Sequence, residues 1–346
     1  MKRVIFLFAV LILASCRQSG YVTISGYAQG GTYSVKLNMD GVALSEQEIC
    51  EGVDSILQAI DVSLSGYNGN SLLRRFNAGE RIVPDSLFVD MYEKAYDVYE
   101  QTGGVVDASS APLFDIWGFG FKRGELPDDD LVAETMSACG MDRLCRDLSA
   151  LKTGDGTLSG ADILRTGETA PPALNYNALA QGYSCDVVAA YLYKIGVRDM
   201  MVDIGEIFCD GMNPSGQPWK IGIDRPVDGN NELGSDLQGV FSVPAGPHGV
   251  VTSGNYRKFY VRDGKKYAHT IDPRTGRPVK HNLLSATVVA PDAMTADAYA
   301  TYCMVVGLEE SKDFIESHPE LEACLVYDAD GVFAVWCSSG FELTTL

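Results

Sequence analysis

From residue 200 onward the apolar runs of this chain are short, β-branched and closely spaced, at 200–204, 219–223, 249–252, 258–262, 267–271 and 285–290. Successive parallel strands each need a crossover of a dozen or more residues, and most of these gaps hold no helical period that could supply one. A doubly wound sheet is therefore disfavoured. The order reads as α+β, with mixed, largely antiparallel sheets and flanking helices. A helical period over 293–306 precedes a hairpin whose strands lie at 323–327 and 332–337, joined through 328–331.

The first half carries the other helices. Ser45 and Glu48 form a capping box ahead of Ile49, Val53, Ile56, Leu57, Ile60 and Leu64. A second amphipathic helix is expected over 85–102, with Leu87, Phe88, Met91, Ala95 and Val98 inward and Gly103-Gly104 as its stop. A third is expected over 178–195, ended by Gly196, and a first strand over 32–37 after a glycine pair. The Asp- and Gly-rich stretch 122–170 reads as a peripheral, variable excursion with one helix near 131–138.

The extreme N-terminus has its own pattern. A basic pair, Lys2 and Arg3, precedes an apolar run over 4–14 that is too short to span a bilayer and stops at Leu13-Ala14-Ser15-Cys16. Small residues just before a cysteine match a bacterial lipobox. The expectation is a signal peptide over 1–16 with Cys16 lipidated, a tether over 17–26, and one large unit over 27–346. The mature chain would then be lipid-anchored to a membrane on the periplasmic side. With 46 acidic against 27 basic residues the net charge is −19, which repels polyanions and makes nucleic acid an unsuitable partner. Nine cysteines, Cys16 among them, are scattered without a C-x-x-C pair, so a zinc site is not expected; those within apolar stretches read as buried free thiols.

No P-loop, dinucleotide fingerprint, nucleophile elbow or H-E-x-x-H motif is present. Four polar clusters stand out instead. Thr252-Ser253-Gly254-Asn255-Tyr256 ends an apolar strand with two hydroxyls beside a glycine, which suits either a phosphate or an ordinary turn. His269 precedes the turn residues Asp272-Pro273 and Thr275-Gly276, and reads either as structural or, brought beside Thr252 to Gly254 by a hairpin at Asp263-Gly264, as part of a site. Asp297 and Thr301 stand one helical turn apart, so a carboxylate and a hydroxyl converge. Two hard oxygens completed by carbonyls and phosphates suit Mg²⁺, although on spacing alone a hydroxyl-to-carbonyl bond within the helix is the simpler account of Thr301. Around Asn175 and Gln181, small residues at a helix start leave N–H groups open to a ligand, while Asp186 is either part of that site or a partner of the helix dipole.

In this order the clusters resemble the ApbE family, the FAD:protein FMN transferases. The resemblance spans nearly the whole mature chain. It is carried by GGTYSV from Gly30, SGYNGNSLLRRFN from Ser65, DASSAPLFDIWGFG from Asp107, ALAQGYSCD from Ala178, VDIGEI, the TSG-N-Y block, HTIDPRTG from His269 and ADAYAT from Ala296. The family's fold would be two-lobed with the flavin site between the lobes. Its activity would be Mg²⁺-dependent transfer of FMN from FAD to a threonine hydroxyl of an acceptor protein, releasing AMP. The acceptor would be a subunit of a membrane electron-transport complex. The alternatives are an FAD pyrophosphatase giving FMN and AMP, or a non-catalytic flavin-binding lipoprotein.

Carried over by position, the resemblance implies that Asp297, Thr301 and the Ala180 carbonyl hold the metal. FAD would meet Gly31, Thr32, Tyr67, Asn175, Gln181, Thr252, Ser253, Gly254 and His269, with Tyr67 stacking on a ring. His269 would act as base or orient the acceptor hydroxyl, and Asp272 would hold the turn behind it. Trp117 and Phe119 are assigned to packing near the pocket. The family's pattern departs here at Gly30 for methionine, Asn175 for aspartate, Gln181 for lysine, Asn255 for aspartate, and one glycine fewer at Ile204-Gly205-Glu206.

Overall fold

The computed structural model describes residues 20–119, 126–227, 230, 234–256, 259–262 and 265–346. The expectations placed on Lys2, Arg3, the apolar run and Cys16, and on the Asp263-Gly264 turn, lie outside the described residues.

The chain begins with β1 (Tyr21–Ala28) and β2 (Gly31–Asn38), a hairpin in full register from Tyr21 opposite Asn38 to Ala28 opposite Gly31. Its two-residue tip, Gln29-Gly30, has φ of 52° and 83°, the positive values a tight hairpin turn requires. The expected tether over 17–26 is corrected by this strand. Val22, Ile24 and Ala28 face inward at period two and join the core, and the Ser and Gly residues between them disguise the alternation.

Four helices follow: α1 (Glu46–Leu64), α2 (Leu72–Asn77), α3 (Ser86–Gln101) and α4 (Ala111–Ile116). The Ser45–Glu48 box caps α1 as its spacing predicts, with both reciprocal bonds formed, and Asp85 caps α3 through the Phe88 N–H. The helix α5 (Asp129–Met136) is the one anticipated near 131–138. The surrounding stretch is not peripheral, however. Met141, Leu144, Leu148, Leu158 and Ile163 are all buried in the largest apolar cluster, against Tyr92 and Tyr96 of α3. Single apolar residues among Asp and Gly supply that core without any period for the eye to find.

Next come α6 (Ala180–Lys194), β3 (Met200–Asp203), β4 (Ile207–Asp210), β5 (Lys220–Asp224), β6 (Leu237–Ser242) and β7 (His248–Gly254). After them lie β8 (Phe259–Arg262), β9 (Lys265–Ala268), the two-residue strands β10 (Ile271–Asp272) and β11 (Arg277–Pro278), and β12 (Leu283–Ala290). The chain ends with α7 (Ala293–Val306), α8 (Leu308–Ser317), β13 (Glu322–Ala329), β14 (Val332–Cys337) and β15 (Leu343–Thr345).

An eight-stranded sheet in the order β1-β2-β3-β4-β7-β12-β13-β14 forms the centre, and every neighbouring pair in it is antiparallel. Helices α1, α6 and α7 cover one face, to which Val251, Ala286, Val288 and Leu325 contribute. The other face carries Cys209, Val250, Val289 and Cys324, and the small sheet β15-β6-β5 closes over it with Trp219 and Phe241. Strands β6 and β15 and helix α8 were not anticipated: Gly239 interrupts the first, the second is three residues long, and α8 starts directly where α7 ends at Gly307. The hairpin β8–β9 forms a separate two-stranded ribbon rather than extending the main sheet. All eight described cysteines are free thiols, five of them buried. No described helix is long and apolar enough to cross a membrane.

Candidate functional site

Helices α6 and α7 meet at their N-terminal turns, and a glycine makes that possible. A Cβ on Gly182 would lie 2.3 Å from the Ala293 carbonyl oxygen, so no larger residue fits where the two helices touch. At this contact the Gly182 N–H donates to Asp297 Oδ2 at 3.2 Å, joining the open end of α6 to a carboxylate of α7. Asp186, one turn along α6, accepts from the Ala293 N–H at 2.8 Å and the Met294 N–H at 2.9 Å. It therefore caps α7 rather than serving its own helix, a role its spacing in the sequence does not reveal. Burial pushes both carboxyls up to about 7, and for Asp297 the negative charge of Asp186 adds to the rise.

Beside this contact opens a cavity of about 400 Å³. Asp297 and Thr301 line it from α7, Asn175 and Gln181 from the start of α6, and Thr252, Ser253 and Gly254 from the end of β7, and His269 lines it as well. Eight residues singled out from the sequence thus line one cavity. Thr270 Oγ1 donates to Asn255 Oδ1 at 2.7 Å, tying the His269 segment to the end of β7. A Cβ on Gly254 would come within 2.7 Å of the Tyr256 ring, which also lines the cavity. The two hydroxyls of the TSG block do not act as a pair. Thr252 Oγ1 lies 2.8 Å from Thr287 Oγ1 of β12, and the period of the strand sends Ser253 to the opposite face.

The remaining sequence candidates lie around the cavity rather than in its wall. Gly31 and Thr32 are exposed at the start of β2. Their hairpin is nevertheless fastened to α6, because the Gln29 side-chain amide bonds the Ser184 hydroxyl, which in turn donates to the Ala180 carbonyl at 2.6 Å. Tyr67 is 75% exposed, and its hydroxyl accepts from Asn177 Nδ2 at 3.2 Å, placing it at the rim through a wall residue. Asp272 accepts from the Arg274 backbone N–H at 2.9 Å and from its guanidinium at 3.0 and 3.1 Å, so its carboxylate holds the turn that follows His269. Trp117 is buried and donates to the Gly276 carbonyl at 2.7 Å, with Phe119 packed beside it; both are packing residues, as expected.

Positions that depart from the family pattern have distinct partners. Gln181 Nε2 donates to the Ile204 carbonyl at 3.1 Å and packs over Gly205, whose φ of +94° only glycine adopts readily. Glu206 follows in the cavity wall. Sequence reasoning missed Asp107, Ser110 and Phe114 as wall residues. Asp107 accepts from Ser109 N–H and Oγ and, at 3.1 Å, from the Gly140 N–H. An aspartate two residues before a serine is a readable local turn; the bond to Gly140 is not.

The donor set can be tested against a metal ion. Among the described residues no group of three or more His, Cys, Asp or Glu side chains could hold one. The Ala180 carbonyl, assigned to the metal by the resemblance, is not among the cavity-lining residues and accepts the Ser184 hydroxyl; what α7 offers is a single buried carboxylate and a hydroxyl-bearing residue lining the cavity. That set fits a hard divalent cation completed by waters and ligand phosphates, and a cation there would offset the cost of burying the Asp297 charge.

Comparison with known proteins agrees in extent. The model of the ApbE family matches residues 29–325. The FAD:protein FMN transferase of Haemophilus influenzae is 31% identical, with 97% of this chain and 95% of that protein covered, and that of Vibrio cholerae is 30% identical, covering 97% and 96%. Among solved structures, the Pseudomonas stutzeri flavinyl transferase ApbE in its apo form superposes with a TM-score of 0.77 at 28% identity, covering 92% of this chain and 95% of the other.

Proposed function

The chain belongs to the ApbE family and is an FAD:protein FMN transferase, and from that premise we propose how its own residues move FMN from FAD to an acceptor protein. The observation that carries the proposal is the common wall: Asp297, Thr301, Ser253 and His269 face one cavity, with Asp297 clasped to the first turn of α6.

FAD enters with its diphosphate toward α7 and the end of β7. Ser253 and the backbone at Gly254 approach the flavin phosphate, and the side chain of Thr252 holds β7 to β12 behind them. Asn175 and Gln181 border the same region, Gly31 and Thr32 lie with the hairpin tip fastened to α6, and Tyr67 at the rim offers a ring face to a flavin or adenine. Asp297, Thr301 and the Ala180 carbonyl would hold Mg²⁺, which when bound draws charge from the diphosphate as AMP departs. His269 takes the proton of an acceptor threonine hydroxyl whose oxygen bonds to the flavin phosphorus while the bond to the AMP phosphate breaks. Asp272, paired with Arg274, keeps the turn behind His269 in place.

The decisive assay incubates the protein with FAD, Mg²⁺ and an acceptor bearing a threonine. The expected result is an acceptor heavier by one FMN moiety, and replacement of that threonine by valine should abolish the gain. AMP formed from FAD alone, at a rate no acceptor raises, would instead identify water as the nucleophile.

The Cys16 lipobox further supports placing the enzyme at a membrane, anchored by lipid on the periplasmic side, where its acceptor would be a flavin-carrying subunit of an electron-transport complex. Fatty-acid labelling that survives in Cys16→Ser would overturn this placement.

A further inference from the structure

Strands β13 and β14 are joined by the two-residue turn Asp330-Gly331, with φ of 57° and 87°, which sets Ala329 opposite Val332 and fixes the register of the whole hairpin. In that register Cys324 stands directly opposite Cys337. Which kind of pair they form follows from the next rung. The Ser338 N–H donates to the Ala323 carbonyl at 2.9 Å just beyond the pair while the Ala323 N–H turns to Ser338 Oγ, and this backbone bond, with the alternation counted from the two-residue turn at Ala329 opposite Val332, makes Cys324 and Cys337 a rung without hydrogen bonds. Such rungs bring Cα atoms to about 4.5 Å and the side chains closest together, inside the range that a disulfide spans.

The two thiols also differ as a reactive pair should. Cys324 is fully buried, whereas Cys337 on the sheet's outermost strand is partly accessible. The Cys324 thiol hydrogen-bonds toward Cys337, which holds the Cys337 thiol below its ordinary value and pushes that of Cys324 up. Both are reduced in this structure.

We propose that Cys324 and Cys337 form a cross-strand disulfide when the protein meets a disulfide oxidant, with Cys337 as the attacking thiol and Cys324 as the resolving one. The Cys337 thiolate attacks one sulfur of the oxidant and expels the other as a thiolate, leaving a mixed disulfide. The Cys324 thiolate then attacks the Cys337 sulfur and expels the second oxidant sulfur. Two S–H bonds of the protein are lost with two protons, one S–S bond forms, and the oxidant disulfide is reduced to two thiols. The product staples the edge strand to its neighbour and owes nothing to the flavin chemistry.

The test equilibrates the full chain with oxidised glutathione, then denatures it in the presence of an alkylating agent so that buried thiols also react, and maps peptides without reduction. The expected product is lighter by two hydrogens, with one linked peptide pair carrying Cys324 and Cys337, and it melts several degrees higher than the reduced chain. Cys337→Ser, at the accessible position, should leave Cys324 alkylatable under the same conditions. Alkylation of both cysteines after the oxidant treatment would overturn the assignment, as would a link from Cys324 to Cys209, a member of the same cluster.

Discussion

The two faces of the central sheet are made from the same strands and have opposite characters. Strand β7 sends Val250 toward the small sheet and Val251 toward α7, and its next two residues divide likewise, Thr252 with the former and Ser253 with the latter. The face under β15-β6-β5 is closed by Trp219, Phe241, Phe341 and the thiols. The helical face ends in Asp186 and Asp297, two carboxylates taken out of water at the contact of α6 and α7. One face lowers its free energy by burying carbon, while the other accepts a cost in buried charge so that a carboxylate stands ready beside a cavity.

Substitutions can break this contrast. The largest effect is expected from Asp297→Asn, which keeps the shape but removes the charge: FMN transfer should fall by at least about 100-fold with the melting temperature unchanged or raised. A fall in both together would mean that Asp297 supports the fold rather than the reaction. On the other face, Phe241→Ala loses a ring stacked 4.3 Å from Phe341 and should cost about 3 kcal/mol in a denaturant titration, while transfer by the molecules still folded is unaltered. Asp186→Asn is expected to fall between these, costing about 1 to 2 kcal/mol through one of its two N–H bonds and weakening transfer less than Asp297→Asn does.

The smallest effect is a slope with pH. Asp186 and Asp297 have folded values raised to about 7 from an ordinary 3.8, so the native state binds their protons more tightly than the unfolded chain. Their contribution is complete below about 4 and is lost as pH rises through about 7. The melting temperature of the metal-free protein should therefore decline across that window. Mg²⁺ should flatten the decline, and the Asp186→Asn, Asp297→Asn double variant should remove most of it. An equal slope in that variant would place the buried charge elsewhere.

How much of this was legible follows from the range of each interaction. The capping box at Ser45, the helix over 293–306 and the β13–β14 hairpin are local arrangements whose signals lie within a few residues, and the structure has them within a residue or two of expectation. The order of the motif blocks brought out the cavity lining, because the blocks concerned lie at the end of β7, just after β9, at the start of α6 and within α7. What could not be read was non-local or diluted. Asp186 caps a helix 107 residues away, the core residues among 141–163 are single apolar positions without period, and β1 hides its alternation among Ser and Gly. Tyr67 and Thr252 illustrate the limit of motif reasoning, since their residue types are right while one stands at the rim and the other turns its hydroxyl to Thr287.

The clasp between Gly182 and Asp297 closes a loop of 115 residues, and the carboxylate and hydroxyl of α7 arrive only near the end of the chain. Loops this long close slowly, and synthesis delivers α6 well before its partner exists. A truncated or still-emerging polypeptide can thus possess the central strands and the hairpin tip while lacking Asp297, Thr301 and the clasp to α6. On the assignment proposed above, competence toward the coenzyme becomes a mark of completed manufacture, withheld from every fragment that stops short of Thr301.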